Sequence, residues 1–306
     1  MKVLFAGASG TLGRALVPQL LAAGHEVIGL TRHPLAAERL RGLGARPIVV
    51  DVLDRGALLP AVRELRVDAV LHQLTALSSA PTHHRSMRAT NVLRTEGTRN
   101  LVEAARLAGA RRIVTQSIVF GYGFGRHPGT LDERAAFGVP AGDATDGIVE
   151  ALAENERLVR QAENMEGVAL RYGLFYGRDA DAVRRMLRRR MLPVATAGGA
   201  LPLIHHDDAA AATVAALERG EPGAAYNVAD DDPSQTWRGY LTEAASAFGA
   251  PAPLAMPAGL LSVAVPYAAR IMSGLDLRVS SERAHRELDW VPRYPSAREG
   301  WRAASA

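Results

Sequence analysis

Short apolar runs alternate with longer amphipathic segments along the first half of the chain. The apolar runs have the length of buried β-strands, over residues 3–6, 26–31, 47–50, 69–71, 112–115 and 168–172. Between them, apolar residues recur every three or four positions over residues 12–22, 92–107 and 151–162, as in helices that face a sheet. The alternation predicts an α/β fold with a doubly wound parallel sheet.

The pattern changes after Gly173. An arginine-rich segment over residues 184–190, the pair Gly198 and Gly199, and a proline-punctuated stretch over residues 251–266 replace the alternation. We therefore expect one domain over residues 1–172 and a smaller C-terminal lobe over residues 173–306, with some segments of the lobe returning to the sheet.

The composition is that of an ordinary globular protein and excludes several classes of site. The 306 residues are 48% hydrophobic and 22% charged, so a disordered or fibrous chain is excluded. The absence of cysteine excludes disulfides, thiolate metal sites and a cysteine nucleophile. The formal charge of +4 comes from basic residues scattered among 32 acidic ones, so we expect no nucleic-acid partner.

The longest apolar stretch, residues 254–272, does not resemble a membrane span. Pro257, Pro266 and Arg270 interrupt it, and it is too short and broken to cross about 30 Å of hydrocarbon. We interpret it as a helix that covers a pocket and expect no membrane partner. The N-terminus runs directly into a strand without a basic leader, so we expect a cytoplasmic protein.

A glycine-rich loop follows the first strand. Gly7, Gly10 and Gly13 are spaced Gly-x-x-Gly-x-x-Gly between a strand and a helix. This arrangement lets the backbone approach a pyrophosphate, whose charge is bound by N–H groups at the helix N-terminus. We predict a dinucleotide cofactor that contacts Ser9, Thr11 and Leu12 in addition to the three glycines.

The end of the second strand indicates which dinucleotide is bound. An acidic residue that binds the ribose 2′-hydroxyl of NAD is usual there, but this chain has Thr31 and Arg32. Arg32, assisted by Thr31, can bind a 2′-phosphate, so NADP (NADPH) is favoured over NAD; Arg32 as a solvated strand-end arginine is the alternative. Asp51, with Val52 beside it, is placed to accept a hydrogen bond from the adenine amino group or to cap a turn.

Several motifs together resemble the extended short-chain dehydrogenase/reductase superfamily, which includes NAD(P)-dependent nucleotide-sugar epimerases and dehydratases. Besides the glycine loop, the motifs are Asp51-Val-Leu-Asp54, Asn91 with Glu96-Gly-Thr98, Thr115-Gln-Ser117, Arg171-Tyr-Gly-Leu-Phe-Tyr-Gly177, Ile204-His-His-Asp-Asp208, Tyr226-Asn-Val-Ala229 and Glu287-Leu-Asp-Trp290. The resemblance implies a Rossmann domain with a C-terminal substrate lobe, and it implies that Tyr172 contacts the cofactor.

The chain departs from this family at the catalytic pair. The resemblance implies a serine, matched by Ser117, and a Tyr-x-x-x-Lys pair whose lysine lowers the tyrosine pKa. Lys2 is the only lysine, and no tyrosine is followed four residues later by lysine. Counted from Glu156, the pair falls at Ile148 and Leu152, so we predict an atypical active site.

Two leucines indicate an apolar ligand. Nucleotide-sugar enzymes of this family usually have an asparagine and an arginine for the diphosphate at the places that Leu174 and Leu201 hold here. A diphosphate would lie unpaired beside leucine, which is costly. The sequence therefore favours a hydrophobic small-molecule substrate.

Other groups can stabilise the oxyanion that hydride transfer to a carbonyl creates. Ser117 is the first candidate, Tyr122 the second, and Thr75 and Gln116 are weaker; for each of them a loop hydrogen bond without chemistry is the alternative.

His205 and His206 lie on opposite faces of a strand, so we expect no metal there. We expect Asp208 to cap a helix over residues 209–217. His83 and His84 remain without a role.

Three functions stay open. The first is an NADPH-dependent ketoreductase that reduces a carbonyl of a polyketide-like natural product without the usual triad. The second is an epimerase, dehydratase or reductase of a sugar-like substrate with another acid and base, and the third is a non-catalytic NADP-binding regulator. The oligomeric state is open too, although helices beside the fifth strand often form homodimers in the superfamily.

Overall fold

A seven-stranded parallel sheet forms the centre of the computed structural model, which describes residues 1–77 and 81–305. The thirteen strands, in chain order, are β1 (Lys2–Ala6), β2 (Glu26–Thr31), β3 (Arg46–Val49), β4 (Ala69–His72), β5 (Arg112–Ile118), β6 (Arg126–Leu131), β7 (Glu166–Tyr172), β8 (Leu174–Tyr176), β9 (Val194–Ala195), β10 (Leu203–His205), β11 (Ala225–Val228), β12 (Ala255–Met256) and β13 (Asp276–Val279). The central sheet has the order β11-β7-β5-β4-β1-β2-β3. This confirms the predicted Rossmann fold, in which the strand order reverses beside β1.

Helices cover both faces of this sheet. They are α1 (Thr11–Ala22), α2 (Pro34–Gly42), α3 (Arg55–Val62), α4 (Arg88–Val92), α5 (Thr98–Leu107), α6 (Asp146–Arg160), α7 (Ala180–Arg188), α8 (His206–Arg219), α9 (Trp237–Ala247), α10 (Ala258–Ala264), α11 (Pro266–Ala269), α12 (Glu282–Leu288) and α13 (Ala297–Ser305). Val3 and Phe5 of β1 belong to the apolar core on the side of α1 and α8, and Leu4 and Ala6 to the core on the side of α3 and α5. The strands read as unbroken apolar runs because both faces are buried.

The predicted helix over residues 92–107 is interrupted. The chain forms α4, then a π-helical turn over Leu93–Gly97, and then α5. Apolar periodicity does not distinguish the wider turn, because one extra residue shifts the pattern by less than a third of a turn. Such turns are frequent at functional sites.

The segment over residues 254–272 is not the single covering helix that the sequence predicts. Pro257 precedes α10 and Pro266 begins α11, so the segment forms β12, two short helices and the start of a π-helical turn over Arg270–Gly274. Proline cannot continue a helix, which explains both breaks.

Strand β11 lies in the central sheet although it follows residue 173. The division into two domains at residue 172 stays a prediction.

Within residues 1–77 and 81–305, no helix has both the length and the apolar character that a membrane span requires.

Candidate active site

The glycine loop joins β1 to α1 at the carboxyl end of the sheet. Gly7 has φ of +106°, a conformation that other residues rarely adopt, and a Cβ there would lie 2.6 Å from the Gln73 carbonyl oxygen. The Gly10 amide donates to the Gly7 carbonyl at 2.9 Å and closes the turn. A Cβ on Gly13 would lie 2.5 Å from the Gly7 carbonyl oxygen. The loop therefore keeps a close backbone path that only glycine allows.

The beginning of α1 is suited to an anion. Gly10 is the N-cap residue and supplies no side-chain hydrogen bond, and the first turn contains no acidic residue. Amide groups of this turn lack intrahelical acceptors and carry the positive end of the helix dipole. These free amides, beside a loop in which only glycine leaves room for a close ligand, fit the pyrophosphate of a dinucleotide. Thr11 and Leu12 lie in the same turn.

The residues predicted to bind the adenosine half lie together beside this loop. Ser9 Oγ and Thr31 Oγ1 are 3.2 Å apart. The Arg32 side chain is 56% exposed, and its Nη1 lies 3.6 Å from Asp51 Oδ2. Asp51 Oδ1 also accepts the Leu53 amide at 2.9 Å, so Asp51 does hold a turn, and Val52 is buried behind it. An arginine that is solvated and weakly paired remains available to a phosphate.

Ser117 lies near the end of β5 and is buried, with 1% of its surface exposed. Its hydroxyl has no hydrogen-bond partner among the described residues. Alternate side chains of a strand share a face, so Ser117 lies on the same face as Thr115, which donates to Asn155 of α6. Ser117 therefore faces the layer that contains α6.

Helix α6 carries apolar side chains at the two positions that counting from Glu156 predicts for the tyrosine and lysine. Ile148 and Leu152 are separated by one helical turn and are 3% and 0% exposed. They belong to one apolar cluster with Val119, Phe120, Phe124, Met87 and Tyr267, against which Leu77 and Ile118 pack. We call this cluster the apolar wall. Its side chains at positions 148 and 152 can act neither as an acid nor as a base.

A polar network fixes α4, α5 and α6 beneath the apolar wall. His72 Nε2 lies 2.9 Å from Thr98 Oγ1, which donates to the Arg94 carbonyl. Asn155 Nδ2 donates to the same hydroxyl at 2.9 Å. Burial lowers the pKa of His72 to about 4, so its ring is neutral and donates from Nε2. We assign this histidine to structure rather than to proton transfer.

Tyr122, a predicted site residue, belongs to a second buried network. Its hydroxyl lies 2.8 Å from Asn227 Oδ1 and accepts from Arg171 Nη1 at 2.9 Å. Arg171 in turn forms an ion pair with Glu156 at 2.8 Å. Burial is the main reason that the pKa of Tyr122 is raised. A hydroxyl held in this way is a poor proton donor to a substrate.

The other predicted site residues lie in different environments. The Tyr172 hydroxyl lies 2.7 Å from Thr213 Oγ1 of α8, so its side chain packs in the core; only its backbone is left to meet a cofactor. Thr75 follows β4 and is exposed. Leu201 belongs to the same apolar cluster and Leu174 packs against it, and a ligand beside these two leucines stays a prediction.

The prediction that Asp208 caps the following helix is wrong. His205 is the N-cap of α8 and accepts the Asp207 amide, which displaces the expected helix start by three residues. Asp208 instead accepts the backbone amides of Arg293 and Tyr294 and ties the C-terminal segment to α8. His206 Nδ1 lies 2.6 Å from the Tyr176 carbonyl. Within the ranges 1–77 and 81–305, no group of three histidine or acidic side chains is arranged to hold a metal.

Two residues near the site carried no signal in the sequence analysis. Gln73 lies against the glycine loop, and its buried amide has no recorded partner in the described part of the chain. Arg94 is buried on the π-helical turn. Neither belongs to one of the family motifs, and a single arginine among 34 others gives no reason to select it.

The comparison with family models identifies the class of protein. The model described as the NAD dependent epimerase/dehydratase family matches residues 3–229. The chain therefore belongs to this family, as its motifs and strand order indicate.

Two relatives and one solved structure refine this assignment. The chain is 40% identical, over 98% of its length and 99% of the relative's, to a 3-diazoavenalumate denitrifying reductase from a Streptomyces species. It is 31% identical, over 82% of its length and 77% of the relative's, to a 2-alkyl-3-oxoalkanoate reductase from Stenotrophomonas maltophilia. The UDP-glucose 4-epimerase of Thermus thermophilus in complex with NAD superposes with a TM-score of 0.78 at 25% identity, over 100% of this chain and 98% of the other. These likenesses support an oxidoreductase whose fold family binds NAD.

Proposed function

We propose that this protein is an NADPH-dependent reductase of a hydrophobic aromatic small molecule, and that the acceptor group needs no proton from the protein. The observation that supports this most is the burial of Ile148 and Leu152 at the positions where the family has its tyrosine and lysine. A bound reduced nicotinamide supplies a hydride. The protein binds the two molecules in contact, excludes water with the apolar wall and provides no acid at Ile148 or Leu152.

An arenediazonium group satisfies these conditions. When hydride is delivered to it, the carbon–nitrogen bond breaks, a carbon–hydrogen bond forms, dinitrogen leaves and the cofactor is oxidised. The positive charge of the diazonium balances the hydride, so no proton is consumed. The name of the 40% identical relative specifies a diazo compound and a denitrifying reduction, which supports this acceptor.

A carbonyl is the second candidate acceptor. Reduction of a ketone needs one hydride and one proton, and the buried, unpartnered Ser117 hydroxyl is available to donate a hydrogen bond to the developing oxyanion. The 31% identical relative is named as a reductase of an oxoalkanoate. A polyketide-like ketone with an electron-poor carbonyl fits this candidate. Nothing in the described site favours a sugar diphosphate or a purely regulatory role.

A substrate panel separates the candidates. Purified protein with NADPH is mixed with a diazotised aminocinnamate, an aryl ketone and a nucleotide sugar, and NADPH absorbance is followed against reactions without protein. We expect oxidation with the diazonium only, and we expect Ser117→Ala to retain most of it. Oxidation with the ketone that Ser117→Ala abolishes would establish the second candidate, and oxidation with none would refute both.

The preference for NADPH is proposed from Arg32. Replacing Arg32 with alanine removes the charge for the 2′-phosphate, so we expect the Kd for NADPH to rise at least about tenfold, or ~1.4 kcal/mol, while the Kd for NADH is unchanged. Titrations that follow cofactor fluorescence measure both constants. Arg39→Ala, at an exposed arginine of the neighbouring helix α2, is the matched control. Equal losses for the two cofactors would show that Arg32 does not select the phosphate.

The remaining expectations concern partners and location. A cytoplasmic location, the absence of nucleic-acid and membrane partners, and a homodimer stay predictions from the sequence.

A further inference from the structure

Arg94 is buried without a carboxylate beside it. Its side chain lies on the π-helical turn and is 6% exposed, as a residue, to solvent. The hydrogen bond that it donates within the described residues goes to Asn91 Oδ1, at a long 3.3 Å, and no acidic oxygen of those residues lies within 4 Å of it. The other buried arginine, Arg171, has the Glu156 carboxylate. A buried charge without a counterion is unfavourable, so its presence needs a reason.

The guanidinium remains a cation at neutral pH. Burial lowers the pKa of Arg94 to about 10, which is still well above the pH of a cell. Tyr267 of α11 lies close enough to influence this pKa, and burial raises the pKa of Tyr267 itself to about 12, so the phenol is neutral. Tyr267 therefore does not supply the missing negative charge.

Arg94 lies at the end of α6 that carries Ile148. Asn91, which accepts from Arg94, donates through its Nδ2 to the Gly147 carbonyl at 2.8 Å. Gly147 precedes Ile148, the position where the family has its tyrosine. The Arg94 carbonyl accepts from Thr98, which connects it to His72 at the end of β4. The Arg94 guanidinium is therefore linked through Asn91 to the end of α6 that carries Ile148.

Aromatic side chains pack around Tyr267, the phenol that lies close to Arg94. His84 packs edge-on against Tyr267 with ring centroids 5.4 Å apart, and the Phe124 ring lies 5.9 Å from the Tyr267 ring. Phe120 is 5.2 Å from Phe124. A flat aromatic molecule can pack on such side chains, while one cation among them can neutralise one negative charge.

We propose that Arg94 binds the carboxylate of an aromatic acid substrate. This inference rests on the proposed function, because it orients the substrate of the same site. A guanidinium binds a carboxylate through two parallel hydrogen bonds, and Asn91 holds its orientation. The carboxylate would be the counterion that Arg94 lacks, and it would fix the distance between the acid group and the reducible group. A diphosphate would bring more negative charge than this single cation neutralises.

The test measures binding without turnover. Cinnamate, which lacks the diazonium, and methyl cinnamate, which lacks the charge, are titrated by calorimetry into the protein with NADPH. We expect cinnamate to bind at least about tenfold more tightly than the ester. Arg94→Met should remove this difference, and Arg94→Lys should keep part of it. Arg88→Met, at an exposed arginine of α4, is the matched control and should leave both affinities unchanged.

Stability separates a binding role from a structural one. Methionine fills a similar volume and removes an uncompensated charge, so we expect Arg94→Met to melt no lower than the wild type. A large loss of stability with unchanged cinnamate affinity would assign Arg94 to structure and overturn the proposal. Equal affinity of the wild type for acid and ester would also overturn it, whatever the variants do.

The inference and the proposed function fail in different ways. If cinnamate binds through Arg94 while no diazonium or ketone is reduced, the proposed function is wrong and the carboxylate site remains. If the diazonium is reduced and the acid has no advantage over the ester, the proposed function remains and the carboxylate site is wrong. With an acidic substrate, Arg94→Met should raise KM by about tenfold and change kcat much less.

Discussion

Replacing Gly13 with alanine is expected to weaken NADPH binding by at least about 100-fold, or ~2.7 kcal/mol. The added Cβ would lie 2.5 Å from the carbonyl carbon of Ala8 and from the carbonyl oxygen of Gly7. Both are backbone atoms of the loop, so the loop must move away from α1 to make room. The amides that fit the pyrophosphate would then no longer converge. Titration of NADPH into the variant measures the loss.

Gly42→Ala is the control for the Gly13 substitution. Gly42 lies in α2, and a Cβ there would meet no atom within 4 Å. We expect unchanged NADPH affinity and equal or slightly higher stability, since alanine is favoured over glycine in helices by up to about 1 kcal/mol. Circular dichroism shows whether the Gly13→Ala protein is folded. A folded Gly13→Ala protein with normal affinity for NADPH would show that the cofactor does not lie on this loop.

Replacing Glu156 with glutamine is expected to destabilise the protein by about 3 kcal/mol or more. Arg171 and Glu156 are each 3% exposed, and their ion pair has hydrogen bonds of 2.8 and 2.9 Å. Burial opposes the charge on Arg171, but its pairing with Glu156 outweighs this, so the pKa of Arg171 is raised. Glutamine has a similar shape and leaves the guanidinium without a counterion. Urea denaturation measures the free energy of unfolding.

Glu154→Gln is the control on the same helix. Glu154 pairs with Arg99 and Arg157, both of which are more than half exposed, so solvent screens these ion pairs. We expect this change to cost less than about 1 kcal/mol. A Glu156→Gln cost as small as that of Glu154→Gln would mean that water or another residue compensates the Arg171 charge.

The parts of the fold that depend on local pattern were predictable from the sequence. The glycine loop lies where its spacing places it, because turns that require glycine leave few alternatives. The placing of an atypical site at Ile148 and Leu152 rests on their spacing from Glu156 and stays a prediction. The glycine loop was predictable because the constraint on its residue types is local.

Other features depend on partners that are distant in the chain. Asp208 accepts amides from residues 293 and 294, more than eighty positions away, and this contact replaces the expected capping role. Tyr122 is held by Asn227 and Arg171, which only the assembled sheet brings beside it. Arg94 differs from the many solvated arginines only through its burial. No local pattern contains that information.

One isotope measurement tests the central claim that a diazonium group accepts hydride from NADPH. A diazotised aminocinnamate labelled with ¹⁵N is mixed with protein and NADPH that carries deuterium at the transferred position. We expect one labelled dinitrogen for each NADPH oxidised and a slower reaction than with unlabelled NADPH. Dinitrogen release that is independent of NADPH, or a rate that deuterium leaves unchanged in a single turnover limited by chemistry, would contradict the account.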